Sequence, residues 1–477
     1  MSVEAFDLPI IGDSNKVPQD DPEFTLNLYA EKVSDQVYTL KPTPGSVTVS
    51  QFSISGGGRG LIVCDGRLFG VRGGYFQEMV AGVPVIRGSL TSNSGKVGMV
   101  ASSPANGLFQ ILIVGPNESE GYVFELSTNT YTPLSAADNF FGGGSQVAYC
   151  AGSAFVFKPG TNYFQCSGLF NFLTWDTTAN KAAFTLTTPI KALASNGDLT
   201  YVFSSDGFEV WQDQGLAVFP LSRILSGDKI GILAPNSALF IERYVYWLGK
   251  TSTGEGVVYR HQGGGQPERI SNHSTERQIA ALADPSDAIG DSYNSIGHVF
   301  YILGFRAGNK TMVWDKTTNL WHDRAQRDPL TGALFALPYF SLVVLEGDIL
   351  GININNGKVI RLDNDLFTDD GNPIRRDRIL AVFPKEADYL TFFQSVELFG
   401  QIGNTPVNQD DPQIMMRYSQ DRGETWSYEM WQQSGGNSTY AGRTKWSGIG
   451  SAYGLSFWFA IVAAQFISWR SVRVRAE

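Results

Sequence analysis

The sequence predicts an all-β chain: a β-propeller of six blades, with seven as the other count the spacing allows, and a smaller C-terminal β-sandwich-like domain completed by the N-terminal arm. Three observations carry this expectation. Gly supplies 52 of 477 residues and aromatics 13%, whereas charged residues are only 17%; that composition suits short strands and tight turns better than solvated helices. The stretch Val313-Trp314-Asp315-Lys316-Thr317-Thr318-Asn319-Leu320-Trp321 recurs, class for class, as Val123-Phe124-Glu125-Leu126-Ser127-Thr128-Asn129-Thr130-Tyr131. Each copy reads as two strand ends joined by a turn, and two copies of one unit point to a repeat architecture. Hairpin signals also follow one another at somewhat under about 50 residues, near the blade length of common propellers.

The repeated unit resembles a kelch-like propeller hairpin. Taken in order, residues 1–54 form a polar, proline-bearing arm ending in Leu40-Lys41-Pro42-Thr43-Pro44-Gly45. Prolines remove backbone donors and block helix, so the arm is expected to run extended and dock on a neighbour. Ser55-Gly56-Gly57-Gly58 then punctuates, and the propeller is assigned to residues 55–365. Its first hairpin turns at Asp65-Gly66, between the apolar runs Leu61-Ile62-Val63 and Leu68-Phe69, a strong two-residue turn signal. Further hairpins are read at 109–131, 146–157, 199–211, 238–260, 298–314 and 341–362. A sheet of this kind cannot bury both faces alone, and radial packing against its neighbours solves that. One short helix is expected from Thr275 and Gln278 at capping-box spacing, with Ile279, Ala280 and Leu282 following and Asp284-Pro285 as the stop.

The character changes near residue 365. Asp369-Asp370-Gly371-Asn372-Pro373 reads as a loop, and residues 366–477 as the second β domain, with strands at 395–399, 414–418, 455–463 and 468–475. In the last, Val472 and Val474 alternate with Arg473 and Arg475, giving an apolar and a basic face.

The formal charge of −10 and a sequence pI near 5.1 argue against a nucleic-acid clamp, which needs clustered Lys and Arg to neutralise phosphates. Such a surface can still surround DNA without sticking to it. Cys64, Cys150 and Cys166 form no CxxC pair, so they read as small buried hydrophobes in a protein folded in a reducing compartment. The first ten residues carry acids and no basic, apolar signal pattern. The longest apolar run, residues 455–464, is far short of the roughly 20 needed to span a bilayer, so no membrane-spanning segment is expected.

Candidate chemistry is sparse. Ser419-Gln420-Asp421-Arg422-Gly423-Glu424-Thr425-Trp426 matches the S-x-D-x-G-x-x-W box of sialidases, which in that family is a structural turn. His261, His273, His298 and His322 show no metal-ligand spacing and read as structural. Leu248-Gly249-Lys250-Thr251 is similar to the end of a phosphate loop, but Tyr244 occupies the position of the required upstream glycine. Asp206, Asp213, Asp228, Asp315, Asp323 and Asp348 all lie near predicted turns, where Asp is expected for turn chemistry, and no spacing marks an acid–base pair. Arg375, Arg376 and Arg378 form the densest basic cluster: a solvated linker, or a partner-binding patch. No catalytic, cofactor-binding or metal residue is assigned. The competing reading is a glycan-binding or glycan-cleaving propeller, sialidase- or depolymerase-like, or an adhesin using exposed aromatics such as Trp431 or Tyr440.

In order, Asn27-Leu28-Tyr29, the Pro42-Thr43-Pro44-Gly45 corner, Asp65-Gly66-Arg67-Leu68-Phe69, residues 238–259 with their Thr253-Gly254 turn, Arg269-Ile270-Ser271-Asn272-His273-Ser274-Thr275-Glu276 and the closing basic strand resemble the packaged-DNA-stabilisation, or tail-hub (nozzle), proteins of short-tailed bacteriophages. The resemblance implies a non-enzymatic virion protein without cofactors, made in the host cytoplasm and built into the tail. It implies a six-fold ring of this chain beneath the portal and its adaptor protein, docking tail fibres or tailspikes. Double-stranded DNA would pass through without sequence-specific binding.

Overall fold

The computed structural model describes residues 4–11, 23–34, 37–104, 107–117, 120–226, 229–250, 256–384, 389–403, 412–434 and 439–477. Seven antiparallel sheets follow one another along residues 58–89, 98–134, 148–182, 190–226, 231–269, 289–324 and 339–363. In each, one strand, the first in every sheet but the fifth, where it is Leu239–Ile241, touches its counterparts in the sheets before and after. Tyr339–Leu345 of the seventh meets Gly58–Cys64 of the first, which closes the ring.

The blade count is therefore seven, the other count the hairpin spacing allowed, rather than the favoured six. Only three strands of blade seven are contiguous: Tyr339–Leu345, Asp348–Asn353 and Lys358–Asp363. The fourth is Gly45–Gln51 from the N-terminal region, paired antiparallel from Lys358↔Gln51 to Asp363↔Gly45. The hairpin read at 341–362 is thus the contiguous part of this blade, and its closing strand comes from the N-terminal region.

Between blades the apolar side chains form separate clusters rather than one core. Phe69, Phe76 and Phe124 fill the seam of blades one and two; Phe155, Phe164 and Trp211 that of three and four. Tyr201, Phe203 and Trp247 join four and five, and Tyr246, Tyr301 and Trp314 join five and six. Phe52, Leu61, Ile352 and Val359 seal seven against one. Each twisted sheet thus buries both faces, as alternating side chains require.

The local turn readings hold where the signal was local. Asp65 (φ 50°) and Gly66 (φ 70°) form the two-residue turn between Cys64 and Arg67, and both positive φ values are those of a type I′ hairpin. The two copies of the repeated stretch are the hairpins between the third and fourth strands of blades two and six. Asn129 (φ 52°) and Asn319 (φ 57°) take the same left-handed corner. The helix is present but starts earlier than its capping box suggested: it spans His273–Ala280, and Asn272 is the cap. Asn272 Oδ1 accepts from both the Thr275 amide (2.8 Å) and the Thr275 hydroxyl (2.9 Å), so Thr275 sits inside the first turn. No helix among the described residues is long and apolar enough to cross a membrane.

The C-terminal unit is a two-sheet sandwich. One sheet runs Leu28–Ser34, Val37–Pro42, Ile467–Ala476, Thr391–Ile402, Thr439–Ala452, with Glu4–Pro9 also pairing along Ile467–Ala476. The other contains Phe24–Leu26, Asn372–Ile379, Ser456–Ala463, Gln413–Ser419 and Met430–Gln433. Trp446, Trp469, Phe457, Phe459, Val472 and Val474 fill the space between. The described parts of the arm thus pair with their own chain, completing the sandwich sheet and blade seven.

Candidate functional site at the propeller–sandwich junction

Residues 24–51 tie the two units together. Phe24–Leu26 lies between the outer strand of blade six, in parallel (Leu26↔Asp323), and Asn372–Ile379, antiparallel, so one continuous sheet passes from propeller into sandwich. Asn27 turns the chain at φ 53°. Its amide donates to the carbonyls of Ala325 (2.9 Å) and Arg375 (2.8 Å), and its Oδ1 accepts from the Ala325 amide (3.0 Å). A single buried side chain therefore joins arm, blade and sandwich. Next, Arg324 donates to the Tyr293 and Tyr339 hydroxyls and to the carbonyl of Pro44, which fixes the Pro-Thr-Pro-Gly corner before the strand enters blade seven.

Blade six and the arm also meet through ionisable groups. His298, 3% exposed, lies between Asp315 (Nδ1 to Oδ2, 2.7 Å) and Glu31 (Nε2 to Oε2, 3.2 Å), with its ring 4.8 Å from Tyr29 and 5.7 Å from Phe300. Burial pulls the imidazole pKa down, but the hydrogen bonds and charges of the two carboxylates outweigh it and hold the pKa above its usual value. Asp315 also serves the turn: its Oδ1 accepts from the Thr317 amide (2.9 Å), and the Oδ2 that faces His298 accepts from the Thr318 hydroxyl (2.8 Å).

Beside this network runs a cleft of about 360 Å³, bounded by the helix His273–Ala280, Trp321, His322, Phe24, Thr25 and Arg378. His322 is buried, and its pKa is pushed down to about 3 by burial and then by Arg324; it stands there neutral. Asp323 pairs with Lys310 at 2.6 Å. The acids at this junction are committed to turns and ion pairs, so the arrangement holds parts of the chain together.

The three arginines do not form a solvated patch. Arg376 and Arg378 are 0% and 2% exposed. Arg378 donates to the carbonyl of Ile10 (2.7 Å) and the hydroxyl of Thr25 (2.8 Å) and pairs with Glu23. Arg376 donates to the Ala463 carbonyl (3.0 Å), and burial pushes its pKa down to about 10. Arg375, partly exposed, pairs with Asp377 at 2.9 Å. The strand period sends residues 376 and 378 inward and residue 375 outward. Sequence reading missed Asn27 and Arg324 as joints; the only signal for either was the Asn-Leu-Tyr run.

The remaining candidates are turn formers or packing groups. Asp421 accepts from the Thr425 amide (2.8 Å) and the Ser419 hydroxyl (2.7 Å), and Arg422 (φ 58°) and Gly423 (φ 93°) make the corner. These hydrogen bonds, Thr425 first, lower its pKa to about 2. The box lies in the sandwich as a structural turn, as read. Asp206 accepts from Ser204 and Thr188 hydroxyls, Asp213 from the Gly215 amide, and Asp348 lies 3.6 Å from Arg361; Asp228 lies outside the described residues, as does the Thr253-Gly254 turn. His261 contacts the Tyr201 hydroxyl at 2.6 Å, and His273 is the first helical residue. Among the described residues no group of three His, Cys, Asp or Glu is placed to hold a metal.

Two family models match in the order of the two units. The bacteriophage P22 Gp10 beta-propeller model covers residues 26–325, and the bacteriophage P22 Gp10 beta-sandwich model covers residues 377–477. The chain belongs to the bacteriophage P22 Gp10 family. P22 Gp10-type chains are tail nozzle, or DNA-stabilisation, proteins, so this is a structural component of a phage tail. No curated protein matches the chain. Solved structures similar to it include the N-terminal domain of Nup159 (10% identity, TM-score 0.41, 71% of this chain and 98% of that one). Another is the extracellular domain of a hybrid two-component system protein from B. thetaiotaomicron (10%, 0.42, 74% and 42%), and a third a protein from Desulfotomaculum acetoxidans (10%, 0.39, 69% and 97%).

Proposed function

We propose that this Gp10-family chain is the subunit of a ring-shaped tail hub, six-fold in symmetry, seated below the portal and its adaptor protein. In this reading the ring retains the packaged genome, docks tail fibres or tailspikes and conducts double-stranded DNA during ejection. The observation that carries it is the paired match of propeller and sandwich to one tail protein, over most of the chain and in the same order.

Physical chemistry supports the conduit part. Six copies at −10 each carry a formal −60, and like charge keeps a duplex from adhering to a wall. Only side chains within about a Debye length, roughly 8 Å at physiological salt, contribute. Heterologous contacts between identical subunits close into a ring when the rotation per step permits. The ring need not close unaided, because net charge of one sign opposes association until the adaptor supplies a template.

The test is assembly. Sedimentation of the purified chain with and without the adaptor should show a discrete ring-sized species in its presence. Particles lacking the protein should package DNA and then lose it. Particles that keep their genome without it would overturn the retention role.

A further inference from the structure

The solvent face of the second sandwich sheet carries an array that neither the hub reading nor the fold requires. Along Asn372–Ile379, Ser456–Ala463, Gln413–Ser419 and Met430–Gln433, alternate residues point inward: Phe457, Phe459, Ile461, Ile414 and Met416 are in the core. Their neighbours form the outer face. One cross-strand row there is Trp431, Met415, Ala460 and Asp377; the next is Arg417, Trp458 and Ile379. Outer sheet faces are ordinarily polar, yet this one carries two indoles, with Trp426 set edge-on to Trp458 at 5.3 Å.

The array is locked and electrically balanced. The guanidinium carbons of Arg375 and Arg417 each lie 5.8 Å from the Trp458 ring, and its indole N–H donates to Asp377 (3.3 Å). Asp377 receives Arg375 through two nitrogens, both at 2.9 Å. Glu429 accepts from the Trp431 indole (3.1 Å) and lies 3.9 Å from Arg417. Two cations thus face two anions. Trp431 remains 51% exposed, while Met415, Ala460 and Asp377 in its row are 4%, 5% and 2% exposed. The result is one open indole beside a partly exposed indole and fixed planar donors.

We propose that this face binds a neutral oligosaccharide. A sugar C–H face stacks on Trp431, and hydroxyl groups meet the partly exposed guanidinium of Arg375, which Asp377 holds in place, and the side-chain amide of Gln413. The balance of charge is what selects this occupant. It gives no attraction to phosphate backbones or to a strongly charged protein, whereas apolar rings edged by paired donors and acceptors match the two-sided chemistry of a pyranose. Binding here is independent of the hub reading and involves no bond making or breaking.

The experiment titrates the full chain with maltohexaose, cellohexaose and chitohexaose, following tryptophan fluorescence and heat. At least one sugar is expected to bind saturably, about tenfold more weakly after Trp431→Ala, a loss of about 1.4 kcal/mol, with Trp431→Phe retaining most of the affinity. Phe184→Ala, at an aromatic 79% exposed in the turn that follows blade three, should leave binding unchanged. Three silent sugars would overturn the proposal, as would undiminished binding by Trp431→Ala. So would a change in sedimenting mass on that substitution, which would mark the face as an interface between copies.

Discussion

The Nε2 of His298 in blade six lies 3.2 Å from the Oε2 of Glu31 on the N-terminal arm. Because Nδ1 faces a second carboxylate, Asp315, both ring nitrogens need a proton: carboxylates only accept, and a neutral imidazole has one donor. The contact is therefore built for imidazolium. His322, Tyr293 and Tyr29 also face this pocket, and Arg324 lies behind His322.

A pH dependence follows. The folded pKa of His298 is raised, so its stabilisation is complete below the unfolded value of about 6.5 and is lost as pH rises through the folded one. Urea unfolding at about pH 6 and about pH 9 should show a larger loss in the native protein than in His298→Gln. Identical losses would remove the imidazolium.

Asn27 should be among the most sensitive single positions. Asn27→Ala strands two carbonyls and one amide at the junction and puts Ala at positive φ. The expected cost is about 3–5 kcal/mol, read from the urea midpoint. Asn27→Gly should recover only the conformational share, about 1 kcal/mol.

Arg378→Met keeps the stem volume and removes the donors to Ile10, Thr25 and Glu23. Breaking a buried pair from one side costs about 3–5 kcal/mol. Adding Glu23→Gln should return part of that. A neutral Arg378→Met would show that these donors contribute nothing to stability.

Gly45 starts the strand that closes blade seven, and a Cβ there would stand 2.5 Å from the Leu366 carbonyl oxygen and 2.6 Å from that of Thr368. Backbone cannot swing aside as a side chain does, so Gly45→Ala should cost about 1–3 kcal/mol. Hydrogen exchange should quicken in Lys358–Asp363, the strand it faces, and stay unchanged in blade three. Uniform quickening would place the damage elsewhere.

What the sequence revealed was whatever a short window contains. Asp65-Gly66, the Asn129 and Asn319 corners and the Asp421 turn each carry their reason within a few residues, and each was legible. The hairpin of blade seven was legible too, but its fourth strand was not, because Gly45–Gln51 looks like any β-branched stretch until Lys358–Asp363 is beside it. The arginines misled for the same reason: Arg376 and Arg378 read as solvated until Ala463, Ile10 and Thr25 arrive from distant parts of the chain to accept their hydrogen bonds. The start of the helix shifted because Asn272 competes with Thr275 for the cap, and a single window supports both.

The closing strand has a consequence for biosynthesis. Gly45–Gln51 leaves the ribosome early, while its partner Lys358–Asp363 lies about 310 residues downstream; at about 5–20 residues per second that is roughly 15–60 s. Through that interval the nascent chain carries Val47 and Val49 with no mate, and later blades stack as an open arc. Closure of the propeller therefore waits for residues 358–363, and a chain stopped before them would carry an open arc rather than a smaller ring.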